Sequence, residues 1–305
     1  METNDKIING KIHADNLLKK IYPLSVDYIK KYSKKPTLAV VLIGNDPASE
    51  VYVKNKIITA NKNNINSLKI TFSNEVYENI LLDKIIELNN NPDVHGILVQ
   101  LPLPKHISEK LVIQTINPEK DVDGFHPTNY GNLFMGSPSF IPCTPLGCFY
   151  MLKKEIPDLT GKNAVIIGRS NIVGKPMASL LLSSNCTVTI AHSKTINLIE
   201  TCKKADILIA AIGKPEMINE DYIKKNAIII DVGINRIEQN DLSIKNNKSK
   251  LVGDVNYNKV FDIVDKITPV PGGVGPMTIA CLMHNTLKAA FLNKKDPFIN
   301  ILESM

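Results

Sequence analysis

Seven short apolar runs, each set off by turn residues and interleaved with stretches of helical periodicity, constrain this chain more than anything else in its sequence. They are TLAVVLIG (37–44), LKITF (68–72), HGILVQL (95–101), NAVIIG (163–168), TVTIAH (187–192), DILIAAIG (206–213) and AIIIDVGI (227–234). The first of them, TLAVVLIG, is continuous rather than alternating, as a strand buried on both faces must be. Between the runs stand ILLDKIIELNN, TPLGCFYMLKKE, VGKPMASLLLSS, NLIETCKKA and NEDYIKKN, and a further helix opens at PASEVYVKNK. Strands alternating with helices of this length build βαβ units, so the fold class is α/β with parallel sheets.

The alternation breaks once, from about Pro102 to Thr144, where prolines and glycines accumulate without a clear strand. That break marks a domain boundary: residues 1–145 form one domain, 146–275 a second, and 276–305 pack back on the first. Thr144 and Pro145 read as N-cap and first helical residue. A last helix runs from Pro276 to about Phe291, and IEQNDLSIKNNKSK (237–250) reads as a polar loop.

Composition narrows the function. With 44% apolar residues and no run of roughly 18 apolar residues, the chain reads as globular and without a membrane span. Its polar start, METNDKIINGK, lacks a signal-peptide core, which places it in the cytoplasm. The five cysteines form no CxxC pair and the six histidines no i,i+3 or i,i+4 pair, so no disulfide framework and no metal site are expected. The net charge of +6 comes from cations spread along the chain, only two of them arginine, Arg169 and Arg236, so no nucleic-acid partner is expected.

VIIGRSNIVGKPM (165–177) is strand, glycine turn and helix, the setting in which a helix N-terminus receives a phosphate. Its Gly168-x5-Gly174 spacing matches neither the GxGxxG fingerprint nor the P-loop. After the next strand, AHSKT puts Ser193 and Lys194 where an acidic residue would hold a free ribose hydroxyl. Those groups, with Arg169, suit a ribose phosphate, so NADP is expected rather than NAD. His192 reads as an ordinary strand-end histidine, and the strand ends AAIGKPE and DVGIN fall where a nicotinamide half would sit.

In the first domain the same carboxyl-edge rule brings forward the helix after VVLIG, which carries Tyr52 and Lys56 on one face, and Gln100 at the end of GILVQ. KDVDGFHP adds Asp123 from the adjoining loop. An amine that moves protons near neutral pH cannot keep a pKa of about 10.4, and lowering it by three units takes roughly 4 kcal/mol of bias against the ammonium. Burial supplies such a bias, a neighbouring carboxylate opposes it, and a neutral amide such as Gln100 suits the amine better.

Taken together, PASEVYVKNK, VQLPLP, KDVDGFHP, PCTPLG, GRSNIVGKPM, HSKT, DVGIN, GDVNY and TPVPGGVGPMT resemble the bifunctional methylenetetrahydrofolate dehydrogenase/methenyltetrahydrofolate cyclohydrolase family, from about Ile7 to Ala290. The resemblance implies a homodimer of two-domain subunits: an α/β catalytic domain, a Rossmann-like NADP-binding domain, and a folate cleft between them. It implies hydride transfer from methylenetetrahydrofolate to NADP, then hydration of the methenyl cation to formyltetrahydrofolate, a one-carbon supply used in purine biosynthesis. By motif, Lys56 is the general acid/base of the hydration, Gln100 helps hold its pKa down, Tyr52 stacks near the folate and Asp123 anchors the pterin. Leu101, Pro271, Gly272, Gly275 and Thr278 join Tyr52, Gln100 and Asp123 as folate contacts, and Gly168, Arg169, Ser170, Ser193 and Ile234 match the dinucleotide positions. Departures from the pattern are the long 237–250 loop, Asn64 in place of a glycine after the helix, and the tail KKDPFINILESM outside the match. A shikimate-type dehydrogenase and a non-catalytic dinucleotide- or nucleic-acid-binding module are the competing readings.

Overall fold

The structure is a computed structural model that describes residues 5–239 and 248–303. It divides into two compact units. The N-terminal unit comprises Ala14–Cys143 and the chain from Ile279 on; the C-terminal unit comprises Thr144–Thr278 and the residues up to His13.

The N-terminal unit is built on a three-stranded parallel sheet. Helix α1 (Gly10–Tyr32) leads to β1 (Thr37–Ile43), α2 (Pro47–Lys62), β2 (Asn66–Phe72), α3 (Glu78–Asn90) and β3 (Gly96–Val99). The sheet order is β2-β1-β3, with Val40 opposite Lys69 on one side and Leu98 on the other. β1 is central and buried from Leu38 through Ile43, which is why its sequence is one continuous apolar run. Helix α2 starts sharply because Asp46 Oδ2 accepts from Ser49 N at 2.8 Å and Pro47 needs no donor there. It ends where Asn64 adopts φ of 58°, a left-handed conformation that asparagine tolerates.

The Pro- and Gly-rich stretch expected to be irregular contains two helices, α4 (Glu109–Thr115) and α5 (Pro127–Met135). Ser108 caps the first, its Oγ accepting from Leu111 N, and Gly136 in the left-handed region ends the second. Between them KDVDG runs beside β3, with Ile97 N donating to Lys120 O at 2.7 Å. Lys120 Nζ donates to the carbonyls of Leu88, Asn89 and Asn91, so its cation occupies the C-terminal end of α3 and anchors the segment that carries Asp123.

The C-terminal unit holds a five-stranded parallel sheet of order β10-β7-β6-β4-β5. In chain order its elements are α6 (Cys143–Glu155), β4 (Asn163–Ile167), α7 (Gly174–Ser183), β5 (Thr187–Ala191), α8 (Leu198–Cys202), β6 (Ile207–Ala210) and β7 (Ile228–Asp231). Then come β8 (Asn235–Gln239), β9 (Lys248–Val252), α9 (Tyr257–Val260), β10 (Lys266–Ile267) and α10 (Val274–Asn293), with α11 (Ile299–Glu303) closing the chain. Helix α6 begins at Cys143, one residue before the expected cap Thr144, and NEDYIKKN forms only a 3-10 turn over Glu220–Tyr222. The expected polar loop 237–250 is strand at both ends: β8 and β9 pair antiparallel from Asn235↔Val252 to Gln239↔Lys248, which takes in 237–239 and 248–250, and residues 240–247 lie outside the described ones.

From Ile279 on, α10 belongs to the N-terminal unit. There Asn285 Nδ2 donates to Val122 O and Ile141 O at 2.9 and 3.0 Å, and Lys288 Nζ donates to Ser139 O. The tail is tied to the same unit through Asp296 Oδ2, which accepts from Lys31 Nζ and Tyr32 Oη at 2.7 and 2.5 Å.

Candidate active site

Lys56 sits one helical turn after Tyr52 on α2, and its Nζ lies 4.6 Å from the centre of the Tyr52 ring. It donates to Gln100 Oε1 at 3.0 Å, and Gln100 Nε2 in turn donates to Leu101 O at 2.7 Å, which turns the carbonyl end of the amide toward the amine. The lysine side chain is buried, with 4% of the residue exposed. Burial lowers its pKa, since an ammonium loses its hydration there, while Asp123 and Cys143 push the other way. The Tyr52 ring face, which attracts a cation, also favours the ammonium.

Asp123 carries the complementary bias: burial raises its carboxyl, and Lys56 and Cys143 lower it. The loop that presents it is organised by Asp121, whose Oδ1 accepts from Gly124 N and whose Oδ2 accepts from His126 N and Asn129 Nδ2. Leu101 and Asp123 line one small recess together with Phe125. Of the residues expected to contact folate, Tyr52, Gln100, Leu101 and Asp123 thus lie with Lys56 in the N-terminal unit. Pro271, Gly272, Gly275 and Thr278 belong to the C-terminal unit, where Thr278 Oγ1 meets Thr144 Oγ1 at 3.1 Å. Cys143, one of the five cysteines for which no disulfide is expected, adjoins Lys56 and Asp123 because the chain folds it there; no local pattern announces it.

In the C-terminal unit, Gly168, Arg169, Ser170 and Ser193 line one cavity of about 390 Å³, with His192, Ile212 and Lys214 among its other walls. Gly168 has φ of 131°, and a Cβ there would stand 2.2 Å from Ala211 O; a Cβ on Gly174 would stand 2.1 Å from Gly168 O. The turn therefore brings backbone to backbone with no room for a side chain, a cradle of the kind that fits a pyrophosphate at a helix start. Ser170 Oγ accepts from Val173 N and Gly174 N at 3.2 and 3.4 Å, so two amides expected to be open to a phosphate are held by the turn's own hydroxyl. Ser193 is exposed at the cavity wall. Ile234 is not among the lining residues; it lies against the glycine-rich turn, its Cδ1 4.0 Å from where a Cβ on Gly275 would be. His192 keeps the strand-end bonds expected of it, its Nδ1 accepting from Lys194 N and its backbone N donating to Thr195 Oγ1, yet it also lines the cavity.

Among the described residues no group of three or more His, Cys, Asp or Glu is placed to hold a metal ion, and no helix is long and apolar enough to cross a membrane. A parallel α/β unit with a glycine cradle of the kind that fits a dinucleotide, in one chain with a buried amine held by an amide, defines a dinucleotide-dependent α/β enzyme. Residues 8–123 match the sequence model described as tetrahydrofolate dehydrogenase/cyclohydrolase, catalytic domain, and residues 142–294 match its NAD(P)-binding domain. The chain belongs to the tetrahydrofolate dehydrogenase/cyclohydrolase family. It is 52% identical over 286 residues to the bifunctional protein FolD of Dichelobacter nodosus, covering 93% of this chain and 96% of that one. Among solved structures, the bifunctional FolD enzyme of Campylobacter jejuni superposes with a TM-score of 0.88 at 44% identity, covering 93% of this chain and 98% of that one. The Trypanosoma brucei dehydrogenase-cyclohydrolase, solved with NADP cofactor and an inhibitor, gives a TM-score of 0.88 at 32% identity, covering 95% and 98%.

Proposed function

We infer that this chain oxidises methylenetetrahydrofolate to methenyltetrahydrofolate with NADP and hydrolyses the product to formyltetrahydrofolate. The observation that carries the residue assignment is the buried Lys56 amine held by the Gln100 amide oxygen at 3.0 Å. NADP, when bound, supplies the acceptor for the hydride. That transfer needs no side-chain base, because the nitrogen lone pairs flanking the methylene carbon stabilise the cation that develops. The chain's task in this step is alignment, with Asp123 anchoring the pterin and Tyr52 stacking near it.

The hydration does need a base. As water adds to the methenyl carbon, the free amine of Lys56 takes one proton from it. When the carbon–nitrogen bond then breaks, the hydroxyl proton of the adduct passes to the departing nitrogen, and one proton is released overall. Gln100 supports this by accepting a hydrogen bond from the amine without adding charge; a carboxylate in its place would pin the ammonium. Gly168, Arg169, Ser170 and Ser193 are the residues that would hold NADP, with Arg169 and Ser193 toward the ribose phosphate, and Ile234 near the nicotinamide. Pro271, Gly272, Gly275 and Thr278 complete the folate contacts in this reading.

In this reading residues 1–145 with 276–305 serve as the folate-binding catalytic domain and 146–275 as the NADP-binding domain; the compact units divide elsewhere, with the residues up to His13 and Thr144–Thr278 in the C-terminal one. A homodimer, a cytoplasmic location and a supply of formyl groups for purine biosynthesis belong to the same reading and rest on the family resemblance. Nucleic acid and metal have no part in it: the cations are dispersed, with two arginines in 305 residues.

The test assays both reactions in the parental chain and in Lys56→Met. Cyclohydrolase turnover is lost by about a thousandfold or more in the variant, as expected when a proton-transfer group is removed, while circular dichroism and melting stay parental. Parental-rate hydration by the folded variant would refute the lysine assignment.

A further inference from the structure

The turn after β6 wraps an acid. Ile212, Gly213 and Lys214 direct three successive backbone N–H groups to one point, with Gly213 at φ of 72°, and amide runs of this kind form concavities that bind anions. Here the chain fills the concavity itself. Asp254 Oδ2 accepts from Ile212 N at 2.6 Å and Gly213 N at 2.9 Å, and its Oδ1 accepts from Lys214 N and Asn235 Nδ2, both at 2.9 Å. The residue is wholly buried and all four donors are neutral. Burying a carboxylate on dipoles alone is costly unless each oxygen is well satisfied, as it is here.

Its location connects it to the cofactor cavity. Ile212 and Lys214, whose amides it holds, line that cavity, and Ala211 just before them closes on Gly168 of the phosphate turn. The backbone from which Asp254 projects is itself locked. Asp231, at the end of β7, accepts from Asp254 N at 3.0 Å and Gly233 N at 2.9 Å through Oδ1, and from Val255 N at 2.9 Å through Oδ2.

We propose that Asp254 is a positioning residue for NADP: its carboxylate fixes the Ile212–Lys214 wall of the dinucleotide cavity, and Asp231 holds the backbone that presents it. By occupying the amide concavity, Asp254 also withdraws that turn from phosphate binding. The proposal rests on NADP occupying this cavity.

Asp254→Asn keeps the side chain's shape but places an amide N–H2 among donors. A chain with two activities carries its own control, because hydration can be measured with no dinucleotide present. In the variant the NADPH dissociation constant, read by fluorescence titration, rises about tenfold or more, and the dehydrogenase KM for NADP rises with it. The KM for the folate and the cyclohydrolase rate stay within about twofold of parental. Unchanged NADPH affinity in the folded variant overturns the proposal, and so does an equal loss of cyclohydrolase activity, which would mark a general structural role. If Asp254→Asn does not fold, Asn235→Ala removes one of the four donors and is read the same way: an NADPH affinity about threefold weaker supports the proposal, and parental affinity overturns it. A parental chain that fails to bind NADPH would sink the cofactor reading and this proposal with it.

Discussion

Gln100→Glu is the sharpest test of why an amide faces Lys56. The substitution changes shape hardly at all and places a carboxyl oxygen where Gln100 Oε1 now lies, 3.0 Å from the amine. At that separation and an effective dielectric of 20, an ion pair gains about 5 kcal/mol, which favours the ammonium and raises the pKa of the amine. Burial of the new carboxyl works against its own ionisation, as it does at Asp123, and takes back part of that gain. The net effect is a loss of free amine, and of cyclohydrolase turnover, of about a hundredfold to ten-thousandfold near neutral pH. The sign in pH follows directly. Hydration needs the unprotonated amine, so its rate climbs as pH rises through the Lys56 pKa, and the variant moves that limb to higher pH. The assay is single-turnover decay of methenyltetrahydrofolate from about pH 6 to 9, with NADP reduction by the same preparation as control, expected to fall less than about tenfold. A variant that hydrates within about threefold of the parental rate with its limb unmoved would refute the electrostatic role given to Gln100.

Asp231 gives a stability prediction. Burial raises its carboxyl from 3.8 to about 7, against three opposing backbone N–H groups. The native state therefore holds this proton more tightly than the unfolded chain does, and the group's contribution worsens as pH rises from about 4 to 7, by at most about 4 kcal/mol. Asp231→Asn flattens this part of the stability profile, as denaturant unfolding at several pH values will show; an unchanged slope would refute the shift. Gly168→Ala introduces a Cβ 2.2 Å from Ala211 O at φ of 131°, so it costs about 3 kcal/mol or more and weakens NADPH binding. A melting temperature and NADPH affinity equal to the parental ones would show that the turn has slack.

What sequence reading reaches depends on how far apart the cooperating residues stand. The sheets are legible because continuous apolar runs such as AVVLI and AIIID leave few alternatives to a strand buried on both faces. Tyr52 over Lys56 is legible because both lie on one helix at i,i+4, and Gln100 because the carboxyl edge of a parallel sheet is where side chains meet ligands. Helices α4 and α5 escape because each is short and lies in a proline-rich stretch with only local end signals, Ser108 before α4, and Pro127 behind the capping His126 with Gly136 after Met135 for α5. Lys120 and Asp254 escape for a different reason. Each satisfies backbone groups about 30 to 40 residues away, as Asp254 does for Lys214, and no local period encodes such a bond. The paired strands Asn235–Gln239 and Lys248–Val252 fall between: their only apolar residues are Ile237, Leu251 and Val252, the last two adjacent, so no alternation announces them.

In the proposed reading, the mutual electrostatic influence of Lys56 and Asp123 lets one site serve two reactions. Burial disfavours the ammonium and the carboxylate alike, while each charge favours the other, so the pair is biased toward being neutral together or ionised together. In the proposed reading, oxidation converts a neutral folate into a methenyl cation within reach of both groups. A positive charge arriving there disfavours the ammonium and favours the carboxylate. The product of the hydride transfer thereby supplies the final push that frees the Lys56 amine, at the moment when water must be deprotonated. Methylenetetrahydrofolate, which lacks that charge, leaves the amine more fully protonated. A nonhydrolysable cationic folate analogue should therefore lower the Lys56 pKa where a neutral analogue of the same shape does not, as measured by nitrogen-15 NMR of the labelled amine. Equal values with the two analogues would refute this coupling.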